Sequence, residues 1–133
     1  MKTKILIIED SERNAYLLRF ILEKSGYEVA RAQDGRQGIA LARQIKPDLI
    51  LLDIQLPVMD GYAVARELAG NGDLCHIPIV AVTSYAMPGD RERVLAAGCS
   101  GYIEKPINPQ TFAAEIEQYL PAGGRDITPE KNI

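Results

Sequence analysis

The sequence predicts an α/β fold: a parallel sheet of five strands, doubly wound, with five helices covering both faces. Short apolar runs alternate with amphipathic stretches along most of the chain, and the links between runs are too long for hairpins. The most apolar runs, 5–8 and 49–52, each end in an acid, the pattern of buried parallel strands whose C-terminal tips carry polar groups.

The first strand covers 4–8 and leads to a helix over 12–25, with Ala15, Leu17, Leu18, Ile21 and Leu22 as its core stripe and Gly26 as its stop. Tyr16 and Phe20 fall on the opposite side among Arg13, Arg19, Glu23 and Lys24, so their rings are expected to be partly exposed beside the acidic edge. The second strand, 28–32, is the most polar and suits a sheet edge. A helix over 35–45, a strand over 49–53 and a helix over 61–69 follow. A strand over 79–83, a helix over 89–97 closed by Gly98, a strand over 101–104 and a helix over 109–120 opened by Pro109 complete the pattern. After Leu120 periodicity is lost and Pro, Gly and charge collect, so the domain is expected to span 1–121, with a disordered tail over 122–133.

A chain of 133 residues is one domain by size and buries a core without staples. Its net charge of −3 and scattered Lys and Arg leave no basic stripe, so nucleic acid is not an expected partner. Cys75 and Cys99 lack metal-ligand spacing and are expected to be small, half-buried thiols in a reducing compartment. His76, the one histidine, is expected in an exposed loop. The N-terminus runs straight into a strand too short for a signal core or a membrane span, which predicts a soluble, cytoplasmic protein without membrane contact.

In a parallel sheet all strand tips share one edge, and there this chain would gather Glu9, Asp10, Asp53, Thr83 and Lys105. Three clustered acids repel one another unless a cation sits between them, and Mg²⁺, a hard ion that favours oxygen, suits the place. The backbone carbonyl of Gln55 could complete its shell. An acid at a strand end is, taken singly, an ordinary loop residue. Together these groups match phosphoryl transfer onto a carboxylate, with an Asp nucleophile, a metal, a hydroxyl and an ammonium.

Glu9-Asp10, Asp53 followed by Pro57 and Gly61, Thr83-Ser84, Tyr102 and Lys105-Pro106 together resemble the receiver domain of two-component response regulators, over residues 4 to 120. The resemblance implies strand order 2-1-3-4-5, the flavodoxin-like arrangement. It implies that Asp53 accepts a phosphoryl group from a phosphohistidine on a sensor histidine kinase or histidine phosphotransfer protein. Mg²⁺ would be bound by Asp10, Asp53 and the Gln55 carbonyl, with Glu9 assisting. Lys105 would precede a cis Pro106, Thr83 and Tyr102 would form the switch, and Tyr16 with Phe20 would dock the phosphodonor.

Two positions that vary in that family, Gln55 and Tyr85, carry no acid to orient water, so slow loss of the phosphoryl group is expected. Ser84 is small enough to admit that group. The expected output is altered binding of a downstream protein by a stand-alone switch, either monomeric or forming a homodimer on phosphorylation. The same residues also suit a relay intermediate that hands the phosphoryl group to a phosphotransfer protein. An aspartyl phosphohydrolase would need an acid where Gln55 stands, and a flavodoxin-type cofactor module would not place Glu9, Asp10 and Glu12 where a phosphate binds. A receiver-like module that binds without being phosphorylated fits poorly with the intact acid set. The protein is therefore expected not to be an enzyme, since it turns over no separate substrate.

Overall fold

The computed structural model describes residues 3–56, 59–83 and 89–120. Pro57, Ser84, Tyr85 and the expected tail over 122–133 lie outside the described residues. Among these residues ten elements alternate as β1 (Lys4–Ile8), α1 (Glu12–Lys24), β2 (Glu28–Ala32), α2 (Gly35–Ile45), β3 (Leu49–Asp53), α3 (Gly61–Ala69), β4 (Ile79–Thr83), α4 (Asp90–Ala96), β5 (Gly101–Glu104) and α5 (Phe112–Glu117). The sheet is parallel throughout, in the order β2-β1-β3-β4-β5. The chain therefore reverses its winding between β1 and β3, and the crevice of such a sheet opens at their C-terminal ends.

Alternation along each strand builds two cores. Ile5, Ile7, Leu49, Leu51, Val80 and Val82 face α1 and α5 through Leu18, Leu22, Phe112 and Ile116. Leu6, Ile8, Ile50, Leu52 and Ala81 face the other way, against Ile39 and Ala42 of α2, Val64 and Leu68 of α3, and Val94 of α4. Because both faces are covered, every residue of β3 is buried, Asp53 included. The polar strand β2 sits at the edge and is half-buried, with Glu28 exposed and Ala32 buried, as suits its composition.

Local chemistry sets the helix ends. Ser11, Asp34 and Asp60 each accept a hydrogen bond from the backbone N–H three residues on, capping α1, α2 and α3. Gly26 takes φ +96°; its N–H donates to Glu23 O and that of Tyr27 to Leu22 O, which closes α1. Gly98, at φ +111°, ends α4 with the corresponding pair of bonds to Leu95 and Val94.

Four expectations are corrected. Pro109 does not open the last helix. Asn108 accepts from Gln110 N through its side chain and from Thr111 and Phe112 N through its carbonyl, so a turn precedes α5, which begins at Phe112. That helix ends at Glu117 instead of 120, because Gln118 caps it and the N–H groups of Tyr119 and Leu120 bond back only three residues. Leu17 is not in the core stripe but 42% exposed, because it precedes Leu18 by one residue and so lies about 100° round the helix from it. The cysteines are not alike: Cys75 is exposed, whereas Cys99 is buried and its thiol is pushed up to about 12 by that burial.

Candidate functional site

Register decides which side chains meet. Ile8 pairs with Leu52, so Glu9 and Asp53 follow at the same level at the ends of neighbouring strands. Asp53 pairs with Val82 and Thr83 with Glu104, which brings Thr83 and Lys105 to the same edge one step further on. The N–H of Lys105 donates to Thr83 O at 2.8 Å, tying the β4 and β5 tips together. The Lys105–Pro106 peptide is cis, as the family resemblance implied.

Glu9, Asp10 and Asp53 each bring a carboxylate oxygen within 4.8 Å of the others. Glu9 and Asp53 are buried and Asp10 is exposed, so the cluster has a closed floor and an open mouth. Lys105 Nζ lies 3.4 Å from Glu9 Oε1 and 3.9 Å from Asp53 Oδ2. The N–H of Gln55 donates to Asp53 Oδ1 at 3.0 Å, while the Gln55 side chain is exposed. The two oxygens of Asp53 thus have different neighbours, a backbone donor on one side and an ammonium on the other.

Burial pushes the Asp53 carboxyl up to about 6; the Gln55 N–H pulls it down, the charge of Glu9 raises it and the ammonium of Lys105 lowers it. A carboxylate that resists ionisation beside another acid is one that gains from a divalent cation, and three carboxylates within ligand reach are the oxygen donors that a hard ion takes. The residues present therefore fit Mg²⁺.

Thr83 is buried at the end of β4. Tyr102 stands beside Ala81 in β5, half-buried against the α2–α4 core. Its hydroxyl is raised above the usual tyrosine value by burial, then by Glu104, Asp90 and Tyr62. Tyr16 and Phe20 stand on the outer face of α1. They are 70% and 53% exposed, their ring centroids are 6.5 Å apart, and Lys24 Nζ stands 5.8 Å from the Phe20 centroid. His76 is exposed, as expected.

Sequence reasoning missed Arg31. From the edge strand its guanidinium reaches over the tip of β1, where Nε donates to Glu9 O and Nη2 to Asp10 O, both at 3.1 Å. The available signal was a lone cation near the C-terminal end of the strand that pairs with β1. Also missed was the stack of Arg93 on Tyr62, 4.2 Å from its ring centroid, which bridges α4 to α3.

Comparison with known proteins agrees with this geometry. Residues 5–117 match the sequence profile of the response regulator receiver domain. The polar-differentiation response regulators DivK of Brucella anthropi and Brucella ovis are each 46% identical over 120 residues, covering 90% of this chain and 98% of theirs. Chemotaxis protein CheY4 of Vibrio cholerae superposes with a TM-score of 0.86 at 29% identity, over 90% of this chain and 100% of that one. The receiver domain of sensor histidine kinase PA1611 of Pseudomonas aeruginosa, whose structure has magnesium coordinated in its active site cleft, superposes with a TM-score of 0.82 at 34% identity, over 90% and 98% of the two chains. With its strand order, its acid cluster and a profile match over most of its length, this chain belongs to the receiver-domain family of response regulators.

Proposed function

We propose that this receiver is a phosphorylation switch in which Asp53 accepts a phosphoryl group from a phosphohistidine on a sensor histidine kinase or histidine phosphotransfer protein. One observation carries the reading: a buried Asp at a strand tip shares a small site with two further acids and an ammonium. An oxygen of Asp53 attacks phosphorus, the P–N bond to the donor imidazole breaks, and its electron pair returns to the ring nitrogen. Lys105 and the hydroxyl of Thr83 bind the oxygens of the transferred group. Asp10, Asp53 and the Gln55 carbonyl, with Glu9 assisting, would hold Mg²⁺, which when bound neutralises charge on those oxygens.

The donor docks on α1. A groove of about 490 Å³ is lined by Asn14, Leu17 and Leu18 of α1 on one side and by Lys105, Pro106 and Ile107 on the other, and the same helix carries the exposed rings of Tyr16 and Phe20 on its outer face. An apolar groove that ends at the site's own lysine suits a helix presenting phosphohistidine. Thr83 and Tyr102 then report the modified state to the α4–β5 face, where a downstream protein binds. The protein turns over no separate substrate and is a switch, not an enzyme. No helix among the described residues is long and apolar enough to cross a membrane.

Incubation with acetyl phosphate and Mg²⁺, followed by intact mass measurement, tests the reading. One added phosphoryl group on the wild type and none on Asp53→Asn is the expected result. Equal incorporation by both proteins, or none by the wild type, overturns it.

A further inference from the structure

We infer that Arg31 is a positioning residue for the metal site: it sets the direction of the Asp10 carboxylate by holding the backbone of the β1–α1 loop. This rests on reading Glu9, Asp10 and Asp53 as a Mg²⁺ site.

At the end of β1 the ladder to β2 makes its last bond when Glu9 N–H donates to Ala32 O at 3.0 Å. Beyond it the chain turns into α1, and the carbonyls of Glu9 and Asp10 leave the sheet. One planar guanidinium supplies donors to both, at 3.1 Å each. Ser11 N–H donates to Glu9 Oε2 at 3.1 Å, so the loop is held on either side of Asp10. The Asp10 carboxylate itself makes no hydrogen bond or ion pair among the described residues. Its aim therefore depends on its backbone, and the carbonyl of that residue is held by Arg31.

The two cations near the cluster have different tasks. Lys105 directs its charge at carboxylates, 3.4 Å from Glu9 and 3.9 Å from Asp53. Arg31 is in no ion pair among the described residues, and its N–H groups are committed to carbonyls. The task needs an arginine, since a lysine is a point donor and cannot span two successive carbonyls with one rigid fork. Partners that orient a metal ligand in this way commonly change metal affinity by about tenfold or more when removed.

Calorimetric titration of the metal-free protein with MgCl₂ tests the inference, on wild type, Arg31→Lys and Arg31→Ala. Both variants are expected to bind Mg²⁺ on the order of tenfold more weakly, with faster amide exchange at Asp10 and Ser11 before metal is added. Phosphorylation by acetyl phosphate should then need more Mg²⁺ for half-maximal rate while the rate at saturating Mg²⁺ returns towards wild type. If Arg31 acted only through its charge, Arg31→Lys would match wild type and Arg31→Ala would bind more tightly. Either result overturns the inference. A wild type that binds no Mg²⁺ overturns the site reading as well, which separates the two failures.

Discussion

The ammonium of Lys105 donates to Glu9 Oε1 at 3.4 Å, joining residues 96 apart in sequence, and lies nearer to that acid than to Asp53, at 3.9 Å. It is the cation paired with these two acids among the described residues, and its side chain is 16% exposed. Lys105→Met is expected to destabilise the protein in EDTA by about 1–3 kcal/mol, since removing one partner leaves buried carboxylates uncompensated. Mg²⁺ should stabilise the variant more than the wild type, because it then supplies all the compensating charge. Urea unfolding with EDTA and with MgCl₂ checks both statements; equal Mg²⁺ effects on the two proteins would contradict them.

Asp53 makes stability depend on pH. Its folded carboxyl titrates near 6 and its ordinary value is 3.8, so between these limits the folded state holds a proton that the unfolded state has released. Its contribution is fully present below the lower value and is lost as pH rises through the upper one. Asp53→Asn does not ionise. In EDTA, wild-type stability should therefore fall relative to Asp53→Asn as pH rises across that window, by at most about 3 kcal/mol. Paired unfolding curves at several pH values measure this, and a constant difference would refute it. Mg²⁺ competes with the same proton, so its binding should weaken as pH falls below about 6.

Gly61 packs α3 closely against the segment that carries Asp53. A Cβ there would lie 2.4 Å from Ile54 Cα and 2.8 Å from Asp53 O, both backbone atoms. Gly61→Ala must move the segment that carries Asp53, at a cost of about 1–3 kcal/mol, and should slow phosphorylation by acetyl phosphate. Gly72→Ala is the control: its Cβ meets nothing within 4 Å, so stability should stay within about 0.5 kcal/mol. A Gly61→Ala protein as stable and as fast as wild type would show that the contact has no such effect.

Tyr16 and Phe20 give a variant that separates docking from chemistry. Replacing both by Ala removes exposed rings stacked 6.5 Å apart and leaves the carboxylates untouched. Phosphotransfer from the cognate histidine donor should fall at least tenfold, by analogy with aromatic anchors at interfaces. Incorporation from acetyl phosphate should not change. Unchanged transfer from the protein donor would place docking elsewhere.

Gln55 bears on the lifetime of the phosphorylated state. Its side chain is exposed two residues after Asp53 and has no carboxylate to orient an attacking water. The phosphoryl group should persist well beyond seconds, and Gln55→Glu should shorten its life by supplying a general base. Decay of the phosphorylated mass after removal of the phosphodonor tests both. Loss within seconds from the wild type would rule the reading out.

Strand boundaries, the polar edge strand and the glycine stops at Gly26 and Gly98 were legible from residue order, because burial on both faces demands unbroken apolar runs and positive φ favours glycine, although α2 ends on Lys46 at φ +48°. The acids, Thr83 and Lys105 were legible as strand-tip residues for the same reason. Helix ends were less so. Asn108 competes with Pro109 for the start of α5, and that competition shows only once its hydrogen bonds form. Leu17 carries the hydrophobicity of a core residue, but it lies about 100° round α1 from Leu18, at the mouth of a groove shared with the loop after β5.

By itself the sequence determined which groups stand at strand tips, because alternation and chain length are local properties. Tertiary structure alone decided which of those tips face one another: the Ile8–Leu52 register sets Glu9 beside Asp53, and the crossing of β2 to the far side of β1 brings Arg31 to the carbonyls of the acid loop. Pairing between strands depends on how the whole sheet buries its two faces, and no short stretch of residues contains that information.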